Sequence, residues 1–370
     1  MDVAEATEDS GAWKAASAQM TEKMSSLSAE RRGRKNTPLA GVPGTLNSTK
    51  EVESIPVMAT KKNKLKDIVS LAAEPVAYDM TSEQGARGKM VLTGHGDGTI
   101  ACTALSGKAP FAKVDKAHSA AVTQVSFGGA DAGPFKSKSH FYSAGADGTV
   151  KTWTVSGKSP SCDQTFDYHS QSVVYLQPHP VSQYLMSIST DGTWAALDTT
   201  AESLVRQSSA GDDVRCGACH PDGLLVASAS SSGNVKIWDM RESGSIFTQL
   251  DGGGSGLQQA TGLCFSENGY HLGTGHASGV VALWDLRKMK ILKKHDGKSS
   301  VGGVAFDYSA QRLVGAYDGH VTMLPVKEWS EGAVTVQTNT TESVKALVWN
   351  GAGNQQELLM TDGLNLQVLS

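Results

Sequence analysis

Nowhere in these 370 residues do 18 apolar residues run together, which excludes a membrane-spanning helix of the usual length. The opening Met1-Asp-Val-Ala-Glu-Ala-Thr-Glu-Asp-Ser10 is acidic and polar, without the basic start and apolar stretch of a secretory signal. Cysteine is scarce: five residues, odd in number and irregularly spaced, which excludes a disulfide framework and points to a reducing compartment. Charge is sparse too, at 19% of residues with a formal net charge of −4, a balance that argues against strong nonspecific affinity for nucleic acid. No Gly-x-Ser-x-Gly and no His-Glu-x-x-His occurs, so two hydrolase signatures are missing. The expectation is a soluble cytosolic or nuclear protein with no active site, no metal, no cofactor and no membrane contact.

Glycine is plentiful, at 40 residues. Seven glycines follow a common pattern of small residues, a polar residue, Gly and then a run of β-formers. They are Gly98, Gly148, Gly192, Gly233, Gly279, Gly319 and Gly363, at intervals of 40 to 50 residues. A period near this length marks a propeller blade, one four-stranded antiparallel sheet per repeat. Asp97-Gly98, Asp147-Gly148, Asp191-Gly192, Asp318-Gly319 and Asp362-Gly363 are hairpin dipeptides, expected to form two-residue type I′ turns. Ser232-Gly233 and Ser278-Gly279 keep the device with Ser for Asp. After the turns, Val150-Lys-Thr-Trp153, Val235-Lys-Ile-Trp238 and Val281-Ala-Leu-Trp284 alternate with period 2, so their apolar residues should pack blade on blade.

Trp238-Asp239 and Trp284-Asp285 are Trp-Asp dipeptides, and over about residues 65–370 the chain resembles the WD40 family. That resemblance implies a stabilising network of a His before the first strand, a Ser or Thr on the second, the turn Asp and a Trp on the third. His118, Ser143, Asp147 and Trp153 match it best, and Trp238, Asp239, Trp284 and Asp285 are expected to belong to the same structural network. His169 and Asp191 fit the third repeat, but Trp194 directly follows its turn, and Leu324 stands where the sixth repeat would have Trp. After Gly363 too few residues remain for an outer strand. An open edge is a liability in a closed ring, so residues 65–71 are expected to supply the missing strand. The fold expected is all-β: a seven-bladed WD40 β-propeller over 65–370, preceded by a linker over 36–64 and a short helix in 1–35. Trp13, Ser17, Met20, Met24 and Leu27 form a heptad-like stripe there, too short for a stable coiled coil alone. The basic end of that helix (Arg31, Arg32, Arg34 and Lys35) is either a solvated tail or a partner-binding patch for nuclear import or nearby RNA.

Other chemical look-alikes have structural explanations. Cys216-Gly-Ala-Cys219-His220 imitates a metal knuckle, but a zinc site needs four ligands and no second pair is spaced to join it. Residues three apart on a strand also point to opposite faces. Gly94-His-Gly-Asp-Gly98 imitates a phosphate loop, yet β-formers follow where a helix N-terminus is required.

A finer resemblance rests on ordered segments: Asp191-Gly-Thr-Trp-Ala195, His220-Pro-Asp-Gly-Leu-Leu225, Val235-Lys-Ile-Trp-Asp-Met-Arg-Glu242, Phe265-Ser-Glu-Asn-Gly-Tyr270 and Leu283-Trp-Asp-Leu-Arg-Lys288. With Glu30-Arg-Arg-Gly-Arg-Lys35, these make residues 20–370 similar to the propeller half of the pre-mRNA-processing factor 19 family of splicing scaffolds and U-box ubiquitin ligases. The resemblance implies a nuclear scaffold, present in the cytoplasm as well or not, whose partners are spliceosomal proteins and, in a full-length ligase, ubiquitin-ligase substrates. It implies no direct sequence-specific nucleic-acid binding. Neither the U-box nor the tetramerising coiled coil of that family is found in this sequence, so no ubiquitin transfer is expected from this chain alone. The alternative is a substrate receptor that binds a cullin adaptor. It rests on the Trp-Asp-x-Arg motifs ending in Arg241 and Arg287.

Overall fold

The computed structural model describes residues 65–70, 75–80, 90–104, 110–128, 140–156, 159–180, 183–211, 213–240, 246–252, 257–307, 309–327, 329, 333–338, 344–350, 357–362 and 365–369. The expected helix and linker in 1–64 lie outside them. Among the described residues every regular element is a strand, and the strands form seven four-stranded antiparallel sheets. Six sheets are sequential meanders, spanning 75–114 (blade 1), 122–166, 173–209, 214–250, 260–296 and 303–337 (blade 6). Blade 7 takes three strands from 344–369 and its outer strand from Leu65–Ser70, which pairs antiparallel with Asn365–Leu369. Innermost strands of successive blades touch in turn, and Pro75–Met80 meets Val344–Asn350. The ring is closed, and the chain is a seven-bladed β-propeller.

Blade 2 shows why these residues choose this fold. Its third strand, Val150–Ser156, puts Trp153, stacked on Phe141 of its own blade, against Leu92 and Cys102 of blade 1, and Val150 against blade 3, beside Val173 and Leu185. Trp238 and Ile237 divide in the same way between blades 3 and 5, as do Trp284 and Leu283 between blades 4 and 6. A strand with both faces covered buries each successive side chain, so the core is a series of apolar slabs between blades.

None of the described Asp-Gly turns is of type I′, although Asp318-Gly319 keeps the two-residue loop between paired Tyr317 and His320; Gly363 lies outside the described residues. Gly98, Gly148, Gly192 and Gly319 have φ between 69° and 83°, whereas no Asp preceding them has positive φ. The backbone N–H of Gly148 donates to the Gly145 carbonyl at 3.2 Å. This is a type I turn followed by a left-handed glycine, the usual three-residue hairpin loop. The Asp side chain reinforces it: Asp147 Oδ1 accepts the Thr149 N–H at 3.1 Å, and Asp191 Oδ1 accepts that of Thr193 at 2.9 Å. Ser232-Gly233 and Ser278-Gly279 form the same turn without that carboxylate, with Gly φ of 82° and 87°.

Antiparallel order places the second-to-third-strand turns and the blade-to-blade connections at one end of the ring, here called upper. Turns joining first to second and third to fourth strands lie at the lower end.

Candidate functional site

At the upper end of blade 2 a line of polar groups runs from indole to carboxylate. Trp153 Nε1 donates to Ser143 Oγ at 2.9 Å, Ser143 Oγ lies 2.7 Å from His118 Nε2, and His118 Nδ1 lies 3.1 Å from Asp147 Oδ1. An indole N–H can only donate and a carboxylate can only accept. The protons are thereby ordered: Ser143 donates to Nε2 and the Nδ1–H donates to Asp147. Burial raises the Asp147 carboxyl, but hydrogen bonds from Thr149 and the neighbouring His118 outweigh it and hold the group at about 2. Burial lowers His118, with Asp147 opposing. Gly145, which ends the second strand, leaves room for this ring; a Cβ there would lie 2.5 Å from His118 Nδ1 and 2.4 Å from Asp147 Oδ1.

Serine, histidine and aspartate in this order have the layout of a nucleophilic triad, but the surroundings exclude that use. Ser143 is fully buried, and its oxygen is occupied by the Trp153 N–H. Blade 3 repeats the arrangement with a substitution that sequence reasoning missed. Ser187 Oγ lies 2.9 Å from His169 Nε2 and His169 Nδ1 lies 3.3 Å from Asp191 Oδ2, but the donor to Ser187 is the Tyr168 hydroxyl at 3.0 Å. Hydrogen bonds from His169, Thr193 and Ser170 outweigh burial and hold Asp191 well below the usual carboxylate range. Trp194 sits where blade 2 has Val150. Its ring is buried under Arg206, and its N–H finds no acceptor among the described residues. The adjacent Tyr168-His169 pair, with no Trp closing the third strand, was the available signal.

Blades 4 and 5 have Ser in place of the turn Asp, and there the network ends on a backbone carbonyl. Trp284 Nε1 donates to Thr274 Oγ1 at 3.1 Å, Thr274 reaches His276 Nε2 at 2.8 Å, and His276 Nδ1 reaches the Gln258 carbonyl at 3.2 Å. Burial lowers His276 to about 4, against the Gln258 contact that favours protonation. In blade 4, Trp238 Nε1 donates to Ser228 Oγ at 2.9 Å and Ser228 donates directly to the Ala210 carbonyl. The imidazole enters from the connecting loop in blades 2 and 3 but from the last residue of the second strand in blade 5. His95 occupies that last position in blade 1, 3.0 Å from Thr93 Oγ1, and Tyr317 occupies it in blade 6.

The aspartates of the two Trp-Asp dipeptides lie at the lower end, away from these networks. Asp285 accepts the backbone N–H groups of Arg287 at 2.9 Å and Lys288 at 3.2 Å, capping the turn after the third strand. Asp239 is buried at the matching place in blade 4. The exposed Arg287 guanidinium lies 4.9 Å from the Tyr270 ring centre and 3.5 Å from Asp285 Oδ2. Arg31, Arg32, Arg34, Lys35 and Arg241 lie outside the described residues. Cys216 and Cys219 face opposite sides of one strand, in the slabs against blades 5 and 3 respectively, and burial pushes both thiols up to about 12. Among the described residues no cluster of His, Cys, Asp and Glu could hold a metal ion.

The model of the Nucleolar protein 10-like N-terminal domain, a β-propeller, matches residues 185–365. Pre-mRNA-processing factor 19 homolog 2 of Arabidopsis thaliana is 29% identical over 337 residues, covering 90% of this chain and 58% of that protein. Pre-mRNA-processing factor 19 of Oryza sativa subsp. japonica is 29% identical over 311 residues, 82% of this chain and 54% of that protein. The Bos taurus protein of that name is 32% identical over 155 residues, 41% of this chain and 29% of its own length. The chain thus spans little more than half the length of its two plant relatives. It resembles the WD40 half of pre-mRNA-processing factor 19.

Proposed function

We propose that this chain is a non-catalytic scaffold for protein–protein contacts in pre-mRNA splicing, acting in the nucleus among the spliceosomal proteins that its relatives' name implies. The observation that carries the reading is the similarity to Pre-mRNA-processing factor 19 homolog 2, which extends over 90% of this chain. The physical case is that each blade buries both faces of its strands against its neighbours, leaving turns and outer strands on a rigid ring free to vary with the partner. The Ser–His–Asp sets of blades 2 and 3 hold turns in place and leave no oxygen for a substrate. When joined to a U-box, such a propeller would present substrates for ubiquitin transfer; this chain by itself is expected to transfer none.

The cullin-receptor alternative depends on the arginine of Trp-Asp-x-Arg reaching a partner. Arg287 instead leans on Tyr270 and Asp285 of its own blade, which supports a capping role. Affinity purification from nuclear extract discriminates the readings. Splicing proteins should be recovered with the wild-type chain, and also after Arg287→Ala. Recovery of a cullin adaptor that is lost on Arg287→Ala, with no splicing protein recovered, would overturn the scaffold reading.

A further inference from the structure

In five blades the pairing of third and outer strands slips by one residue at the same place. Opposite Thr103, Trp153, Leu197, Trp238 and Trp284 the outer strand carries one residue too many. The extra residue in blade 2 is Asp163, which is exposed, and in blade 3 Val205, which is half-buried. In blades 4 and 5 it is Phe247 and Leu292. A bulge of this kind leaves one residue out of the ladder and re-aims its side chain. Phe247 is 53% exposed and Leu292 40% exposed, placements that a strand facing its neighbour would not give large apolar groups.

The lower-end turns of blade 5 add Tyr270, 51% exposed, and Met289, 36% exposed. Met289 also holds a left-handed φ of 52°, a conformation that costs a non-glycine residue energy and persists only where its surroundings impose it. The platform beneath is cross-braced. His179 Nε2 meets the Gly223 carbonyl of blade 4 at 2.7 Å, and His220 Nε2 meets the Gly269 carbonyl of blade 5 at 3.0 Å. From blade 6, Trp329 Nε1 donates to the Lys294 carbonyl at 2.9 Å. A surface held this way loses little freedom when a ligand settles on it.

Charge narrows the occupant. From Asp285 to Lys294 the chain carries Arg287, Lys288, Lys290, Lys293 and Lys294, of which Lys293 donates to the Val326 and Lys327 carbonyls of blade 6 and the others make up the rim. The single acid of the run, Asp285, is buried and engaged with two backbone N–H groups. This is a basic rim around apolar side chains, on a chain whose net charge is −4. Single-stranded RNA is held by stacking successive bases on several aromatic faces, whereas here Leu292 and Met289 are aliphatic and the Tyr270 ring carries the Arg287 guanidinium on one side. Apolar groups with basic neighbours fit an extended polypeptide in which acidic residues alternate with large apolar ones.

We propose that the lower end of blades 4 and 5 is a docking face for an acidic peptide segment of a partner protein, anchored by apolar side chains on Phe247, Leu292 and Met289. The proposal deepens the scaffold reading and rests on it for the partner being a protein. Its test is fluorescence anisotropy of a dye-labelled peptide of alternating Glu and Leu with one central Phe, titrated with the intact chain. A peptide with Gln for Glu and a single-stranded RNA of equal length are the controls. The acidic peptide should bind, lose affinity with added salt, and bind about tenfold more weakly to Phe247→Ser/Leu292→Ser and to Lys288→Glu/Lys290→Glu. Both variants change exposed residues, and unchanged melting temperatures would certify their folds. Equal binding to wild type and variants, absence of binding, or tighter binding of the RNA at the same face would overturn the proposal. Recovery of splicing proteins from nuclear extract by the same three proteins separates the two readings. If wild type and variants recover them alike, the docking face is wrong and the scaffold stands. If wild type recovers none while the peptide still distinguishes the variants, the scaffold reading fails and the face stands.

Discussion

At the scale of single residues, the upper-end networks are demanding because each member has one permitted role. Asp147→Ala removes the only charged acceptor from a chain that begins at a buried indole, leaving the His118 N–H without it. Removing one member of a buried polar network costs roughly 1–3 kcal/mol. Gly145→Ala should lose a similar amount by a different route, since the new methyl would overlap both His118 and Asp147. Ser161→Ala, on an exposed stretch of the blade 2 outer strand, should stay within about 0.5 kcal/mol. Chemical denaturation of the three variants checks this, and equal midpoints would refute the network's importance.

The same residues set the response to acid. His276 is lowered from 6.5 to about 4, so between those values the unfolded chain binds its proton more readily than the folded one. Stability from this group is complete above pH 6.5 and lost as pH falls toward 4, by at most about 1.4 kcal/mol per pH unit. His118 shifts in the same direction. Asp147, lowered from 3.8 to about 2, contributes stability that is present above pH 3.8 and disappears below it as the pH approaches 2. Melting temperature should therefore fall in two stages on acidification. A melting temperature that rises between pH 6.5 and 4 would contradict the assignment.

At the scale of strands, one sequence device has unequal consequences according to position. Trp238 and Trp194 are both buried, but only Trp238 donates its N–H, to Ser228, among the described residues. Trp238→Phe should cost more than Trp194→Phe, by about 1 kcal/mol, the worth of one buried hydrogen bond beyond the packing that both lose. Thermal melts of the two variants are the measurement, and a larger loss from Trp194→Phe would reverse the argument. The outer-strand bulges follow the same logic. The slip recurs in five blades, and the residue that occupies it decides whether a blade shows solvent a carboxylate, as with Asp163, or an aromatic ring, as with Phe247.

At the scale of the whole molecule, the pairing of Leu65–Ser70 with Asn365–Leu369 ties residues about 300 positions apart into one sheet. Deleting residues 1–60 should leave that strand and a cooperative propeller. Deleting residues 1–72 should expose the edge of Asn365–Leu369, lowering the melting temperature and promoting association, because an unpaired edge is a template for other chains. Identical melting temperatures and elution volumes for the two would show that closure contributes nothing.

The sequence by itself determined the features that depend on neighbours within a few residues. The recurring Gly at the hairpins, the number of repeats and the alternation in Val235-Lys-Ile-Trp238 were all legible, because turn chemistry and strand faces are local properties. The similarity to splicing scaffolds was legible too, from the order and register of short segments. The turn type was misjudged, since dipeptide preference does not register the third loop residue, Ala146, which the Gly145–Thr149 backbone pairing encloses with Asp147 and Gly148. Only the tertiary structure decided that Tyr168 replaces a tryptophan, that blades 4 and 5 end their networks on the Ala210 and Gln258 carbonyls, and that Phe247 and Leu292 turn outward. The physical reason is that alternation specifies which face a side chain takes. The partner it meets there comes from another strand, loop or blade, and an extra residue in one strand shows only against the strand beside it.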